Sequence, residues 1–140
     1  MSELIYIDTN VWIDYFLNRS DRLRPLGDFA HELLKKTISC KYKVAISDWL
    51  KKEINSTGHT QPFSEIEKEL QRWNKIIFIK TSFDDINNAK KTKHWHDSLH
   101  EILAIKSNAK YLVTRNQKDF SGEKIAIVLP ESLWSLSQIL

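Results

Sequence analysis

One cysteine, three glycines and three prolines are all that 140 residues carry of the residue types that staple or break a chain. The lone Cys40 cannot close an internal disulfide, which points to a reducing compartment and a cytoplasmic protein. Cys40 itself reads as a buried or partly exposed thiol, not a nucleophile. With so few turn-breakers, no repeat and no linker, the chain leaves no room for an internal boundary, and one domain over residues 1–140 is expected. Long apolar runs are missing too. The patch at residues 4–7 meets Asp8 at once, which is neither a signal peptide nor a membrane span. Neither sign of charge dominates: the formal net charge of +3 is by itself a weak sign of nucleic-acid binding. Disorder is excluded by a hydrophobic content of 41%.

What the chain does have is acid in unusual places. Asp8, Glu53, Asp97 and Asp119 lie beside apolar runs, in LIYIDTN, VAISDWLKKEI, HDSLHEILAI and YLVTRNQKDF. A carboxylate next to a buried strand is costly without a partner. If the strands share a sheet, the four acids converge and repel one another until a hard cation binds. That is the chemistry of a Mg²⁺ or Mn²⁺ site, and a metal-dependent phosphodiesterase is the leading expectation. Such a site needs a basic rim to admit a phosphate backbone. Lys35, Lys36, Lys41 and Lys43, then Lys51 and Lys52, then Lys90, Lys91 and Lys93 supply candidates, unless they are only solvated helix faces.

Five apolar runs predict strands at residues 4–7, 42–46, 76–80, 110–114 and 125–129. Between them, helical spacing predicts helices after Asp8-Thr9-Asn10, over 26–38 (Phe29, Leu33, Leu34 and Ile38 inward), after the Ser47-Asp48 cap, and from Pro62. Further helices are expected over 83–93 and 97–108, broken near His94-Trp95-His96, with a terminal one opening at Pro130. The alternation indicates an α/β domain with a mainly parallel sheet. Ligands of such sheets bind beyond the carboxyl ends of the strands, and all four acids can reach that edge.

These residues resemble the PIN-domain ribonucleases, especially the VapC-like toxins of toxin–antitoxin pairs. YIDTNVWIDYF looks like the first motif of that family and AISDWLKKEI like the second, with Glu53 as its acid. HDSLHEILAIKSNAKYLVTRNQKDF resembles the third and fourth together, and LPESLWSL the closing segment. The resemblance covers nearly the whole chain in order. It implies a three-layer α/β/α sandwich, a homodimer, an antitoxin partner, and endoribonuclease cleavage of single-stranded or looped RNA. It also implies that Asp8 and Asp97 hold Mg²⁺ or Mn²⁺, that Glu53 holds it or orients the attacking water, and that Asp119 completes the ring. Thr9, Asn10, Ser47, Thr114 and Asn116 would orient these carboxylates, and Arg115 and Lys118 would contact RNA phosphates. Two features depart from the pattern. His100 and Glu101 stand where small residues are usual, and Asn116 stands where some members carry a further acid.

Other readings attach to the same stretches. His96 and His100 are four apart, as in a zinc hydrolase, with His94 and Glu101 close by, although exposed histidines on a helix are the plainer expectation. A PIN-like scaffold that binds RNA or protein without cutting is the non-enzymatic alternative. Of the tryptophans at 12, 49, 73, 95 and 134, most should be core, while Trp95 between histidines could stack on a base. Asp14, Asp48, Asp84 and Asp85 read as surface or capping residues. Val11, Trp12, Tyr15 and Phe16 exceed one core-facing stripe, so some should stay exposed in a monomer and serve a dimer interface.

Overall fold

The computed structural model describes residues 3–17, 35 and 41–133. All but Lys35 of the expected helix over 26–38, together with Lys36, Cys40 and Trp134, lies outside the described residues. The strands are β1 (Glu3–Ile7), β2 (Tyr42–Ser47), β3 (Ile76–Ile79), β4 (Tyr111–Val113) and β5 (Ala126–Val128). The helices are α1 (Thr9–Leu17), α2 (Asp48–Ser56), α3 (Thr60–Arg72), α4 (Phe83–Ala89) and α5 (Trp95–Lys106), with a 3₁₀ turn at Gln117–Asp119. All strand pairs are parallel, and the order across the sheet is β3-β2-β1-β4-β5.

Alternation along the strands builds two cores. On one face Ile5 and Ile7 join Val44, Ile46 and Val113, and are covered by Trp12, Leu50, Ile54, Phe63 and Leu70 from α1, α2 and α3. On the other, Tyr6, Ala45 and Leu112 are covered by Ala89, Leu99, Leu103 and Ala104 from α4 and α5. Helices on both faces make the three-layer α/β/α arrangement, with a parallel sheet that needs cover on each side. Trp12 is 1% exposed, donates its indole N–H to the Ile7 carbonyl at 3.1 Å and meets Phe63 edge-on at 5.1 Å. Losing a side chain of that size from such a site costs about 3–5 kcal/mol.

In a chain so poor in glycine, asparagine shares the work of ending the described helices. Left-handed backbone follows α2 at Gly58 (φ 82°), α3 at Asn74 (φ 55°) and α5 at Asn108 (φ 63°). Asparagine tolerates this region better than other side chains and serves where glycine is absent. At the other end, Ser47 caps α2 by accepting the Leu50 N–H at 3.0 Å. Ser82 and Asp85 form a reciprocal capping box on α4.

Several expectations are corrected. Helix α4 stops at Ala89, short of residue 93, and α5 starts at Trp95. Strand β3 forms over Ile76–Ile79 as expected, and at the edge of the sheet its Ile77 and Phe78 stay 39% and 53% exposed. Trp73 is not core: it follows the last turn of α3, is 54% exposed and donates to Glu69 Oε1 at 3.0 Å. Val11 and Trp12 are buried within the one chain and Tyr15 and Phe16 are half-buried, because α1 is covered by α3 and His59 as well as by the sheet. The apolar surplus on α1 is therefore largely consumed inside the fold. No helix among the described residues is long and apolar enough to cross a membrane.

Candidate functional site

The order of the strands decides where the site can form. Connections from β1 through β3 run outward on one side of β1, and β4 returns to its other side. Beyond the carboxyl ends of β1 and β4 the chain therefore diverges and leaves a crevice. Asp8 directly follows β1, and Thr114 directly follows β4. Thr114 Oγ1 donates to Asp8 Oδ2 at 2.9 Å, and the Thr9 N–H donates to Asp8 Oδ1 at 2.8 Å. Both oxygens of Asp8 are thus fixed by its neighbours.

Glu53 reaches the same crevice from α2. Its Oε1 accepts from Thr9 Oγ1 at 2.6 Å and from His100 Nε2 at 2.5 Å. Asp97, in the first turn of α5, lines the opposite wall. Together with Thr9, Asn10, Ile13, Ser56 and Thr57, these three acids enclose an open cleft of about 400 Å³. Asp119 is exposed on the 3₁₀ turn and does not line the cleft, but its charge acts on Asp97. Of the four predicted acids, three line one cleft and Asp119 lies outside its lining.

Their ionisation reflects the crowding. Burial, offset in part by His100 and Thr114, holds the Asp8 carboxyl above its ordinary value. Burial and the charges of Asp8 and Asp119 raise Asp97 as well. Glu53 goes the other way: burial would raise it, but His100, Thr9 and His96 outweigh burial and hold it low. His100 is 1% exposed, and burial alone would discharge it. The Glu53 hydrogen bond and the charges of Asp8, Glu53 and Asp97 prevail, so its imidazole is raised above the usual histidine value.

His100 is the residue that sequence reasoning underrated. It is not an exposed helix histidine: Nδ1 contacts the Tyr6 hydroxyl at 2.7 Å, and that hydroxyl contacts Ser47 Oγ at 2.8 Å. Burial pushes the Tyr6 hydroxyl well above its ordinary value and keeps it neutral. A buried chain therefore runs from the α2 cap through Tyr6 and His100 to Glu53. Ser47 orients Glu53 only through this chain. With both its ring nitrogens engaged, His100 does not pair with His96 as a zinc site; His96 stands exposed with Nδ1 3.9 Å from Glu53 Oε2. Glu101 is likewise structural. It accepts from Ser121 N–H, Ser121 Oγ and Gly122 N–H at 2.9, 2.6 and 3.0 Å, anchoring the loop beyond Asp119.

The remaining predicted residues are placed as follows. Asn10 Nδ2 donates to Thr114 Oγ1 at 3.4 Å, and the Asn116 backbone N–H donates to the same oxygen at 3.1 Å. Both support Asp8 through Thr114. Lys118 is exposed on the 3₁₀ turn. Arg115 Nη1 pairs with Asp14 Oδ1 at 3.0 Å. Asp14 in turn is no surface residue, being 2% exposed. The pair ties α1 to the segment after β4, a link between residues too far apart in sequence to be guessed.

A hard cation can be set against this geometry. Among the described residues, no three His, Cys, Asp or Glu side chains are grouped closely enough to hold a metal ion as they stand. The donor chemistry fits: carboxylate oxygens suit Mg²⁺ or Mn²⁺, and two of the acids are raised by burial with neighbouring carboxylates adding to it, Glu53 for Asp8 and Asp8 with Asp119 for Asp97. Closing Asp8, Glu53 and Asp97 onto one ion requires side-chain rotation, with Glu53 released from His100.

No family model matches the chain, and no curated protein matches it. Among solved structures, it is similar to a chain of the crystal structure of VapBC2 from Rickettsia felis bound to a DNA fragment from their promoter. The two share 16% sequence identity at a TM-score of 0.57, over 89% of this chain and 96% of that one. At this identity the match speaks to architecture, and the architecture agrees with the sheet, layers and crevice described above. The chain has the PIN-like α/β/α fold that its motifs resemble.

Proposed function

We propose that the protein is a metal-dependent endoribonuclease that hydrolyses RNA phosphodiester bonds in the cleft of Asp8, Glu53 and Asp97, as the toxin of a toxin–antitoxin pair. The observation that carries this reading is the convergence of three acids from β1, α2 and α5 on one open cleft, with Asp119 acting on Asp97 from outside its lining. Bound there, Mg²⁺ or Mn²⁺ supplies a water of lowered pKa and neutralises charge on the phosphate. Asp8 and Asp97 are the residues to hold it. Thr114 and the Thr9 N–H hold both Asp8 oxygens in place. Glu53 either holds the ion or takes the proton of the attacking water, and Thr9 keeps it within reach of Asp8. Lys118 offers a phosphate contact from the 3₁₀ turn, and Arg115 serves the fold through Asp14.

The partners follow from the same reading. The similar structure is a VapBC2 assembly, which supports an antitoxin whose Arg or Lys side chain would enter the acidic cleft in the cation's stead. A cytoplasmic homodimer belongs to this proposal, although buried Val11 and Trp12 leave α1 a smaller share of any interface. A second reading, a scaffold that binds RNA or protein without cutting, rests on the tie between Glu53 and His100 that fills the cleft's charge deficit. RNA cleavage decides between them. The nuclease should cut single-stranded RNA in Mg²⁺ or Mn²⁺, stop in EDTA, and recover on adding either ion. RNA bound but never cut under any of these ions would favour the scaffold, and recovery by Zn²⁺ alone would overturn the all-oxygen site.

A further inference from the structure

Three aromatic rings meet at the edge of the cleft. Trp49 comes from the first turn of α2, and Trp95 and His96 open α5. The Trp95 and His96 rings are stacked at 3.8 Å and 29°, and Trp49 lies 5.5 Å from each of them. Lys52 Nζ stands 5.8 Å over the Trp49 ring and Lys90 Nζ 5.3 Å over the Trp95 ring. The cluster adjoins the acids directly, since His96 Nδ1 lies 3.9 Å from Glu53 Oε2.

Trp49 and Trp95 each pack one side against the Tyr6, Ala45 and Leu99 core, and core packing leaves the rest of the cluster open. Trp49 and Trp95 are only half-buried, and the His96 side chain is 58% exposed. The Trp49 indole N–H is buried with no hydrogen-bond partner, a cost that a plain core position would avoid with Leu or Phe. Two indoles, an imidazole and two lysines, partly open to solvent beside a carboxylate cleft, form a surface that offers π-faces next to positive charge.

We propose that this shelf is a nucleobase-stacking subsite, which seats one base of single-stranded RNA beside the scissile phosphate while Lys52 and Lys90 neutralise the adjoining phosphates. The inference rests on the nuclease reading and adds to it a subsite for a base of the expected single-stranded or looped RNA. Flat aromatic faces accept any base, because every base has a π-face. Paired bases inside a duplex cannot reach them, so the shelf selects single-stranded or looped RNA without reading its sequence. The lysines also discriminate among occupants. An arginine of a protein partner would stack on the same rings but would be repelled by Lys52 and Lys90, whereas a nucleotide brings the negative charge they lack.

The test compares two oligonucleotides of equal charge, hexauridylate RNA and its abasic counterpart, titrated into the full chain in EDTA while tryptophan fluorescence is followed. Hexauridylate should quench the fluorescence and bind about tenfold more tightly than the abasic strand. Trp95→Leu and Trp49→Leu should each remove most of that preference, and Trp95→Phe should keep it. Equal affinity for the two strands, which needs no variant, would overturn the subsite. So would a Trp95→Leu protein, folded by circular dichroism, that retains the full preference. Cleavage in Mg²⁺ that proceeds equally well on a strand abasic at the positions flanking the cut would discard the shelf and leave the nuclease standing. Base-dependent binding with no cleavage under any ion would keep the shelf and discard the nuclease.

Discussion

Acids gather at two places along the same edge of the sheet, and their surroundings differ. Beyond β2 and β3, Asp48 accepts from the Trp49 and Thr81 N–H groups at 3.0 and 2.9 Å and from the Thr81 hydroxyl. Asp85 accepts from the Ser82 N–H and from Lys106, each at 2.9 Å; burial would raise its carboxyl, but these donors hold it below the ordinary value. Beyond β1 and β4, Asp8 and Asp97 are raised, first by burial and then by neighbouring carboxylates, with His100 offsetting part of the rise. One group of acids stabilises helix starts. The other is held together against its own charge, an arrangement that a fold keeps where chemistry is needed.

The sharpest way to break this comparison is to neutralise the acids of the crowded group one at a time. Asp8→Asn and Asp97→Asn should each lower RNA cleavage by at least about 100-fold, more than the 10–100-fold typical of residues that merely orient a metal ligand. Melting temperature should stay level or rise, because repulsion is relieved. Cleavage at the wild-type rate by Asp8→Asn would end the metal-site reading.

Arg115→Ala tests the buried tie that supports the crevice from behind. Removing one partner of a buried pair is strongly destabilising; the other contacts of Asp14 reduce the expected loss here to about 2–3 kcal/mol, read by urea unfolding. An Arg115 that serves mainly as a phosphate contact would show the opposite pattern, with weaker RNA binding and unchanged stability.

On the satisfied side, Asp85→Ala removes the capping box of α4 and should cost about 1 kcal/mol in the same measurement. Cleavage should be untouched. Lost cleavage in a stably folded Asp85→Ala protein would erase the division between the two groups.

The smallest effect is a slope with pH in the metal-free protein. Asp8, Asp97 and His100 all have folded values above their unfolded ones. The stability each contributes is complete below its unfolded value and is lost as pH rises through its folded value. For His100 that loss begins above 6.5, the ordinary histidine value. Asp85 and Glu53, held low, contribute stability above their unfolded values and lose it as acid protonates them. In EDTA, melting temperature should therefore decline from neutral to alkaline pH, and His100→Gln should flatten that decline. A slope identical in the variant would show that His100 carries no charge in the folded cleft.

Much of this was legible from local pattern. The five apolar runs became the five strands, and Asp8, Glu53 and Asp97 reached one cleft because each sits a fixed few residues past a strand end or inside a helix start. Helix ends were harder, since α4 stops at Ala89 without a glycine or proline to mark it. Exposure along β3 and at Trp73 was not legible at all. Ile77 and Phe78 look like any buried run until strand order puts β3 at the edge.

The sequence by itself determined the alternation of strand and helix, the acids at the carboxyl edge and the likeness to a PIN-like fold, because these depend on spacing within a few residues. Only the tertiary structure decided which groups meet across the chain. His100 joins Tyr6 and Glu53 from 94 and 47 residues away, and Arg115 finds Asp14 from 101 away. Such partners are chosen by the order of strands and by the need to pair charge and hydrogen bonds once water is excluded, and neither is written in the neighbourhood of any one residue.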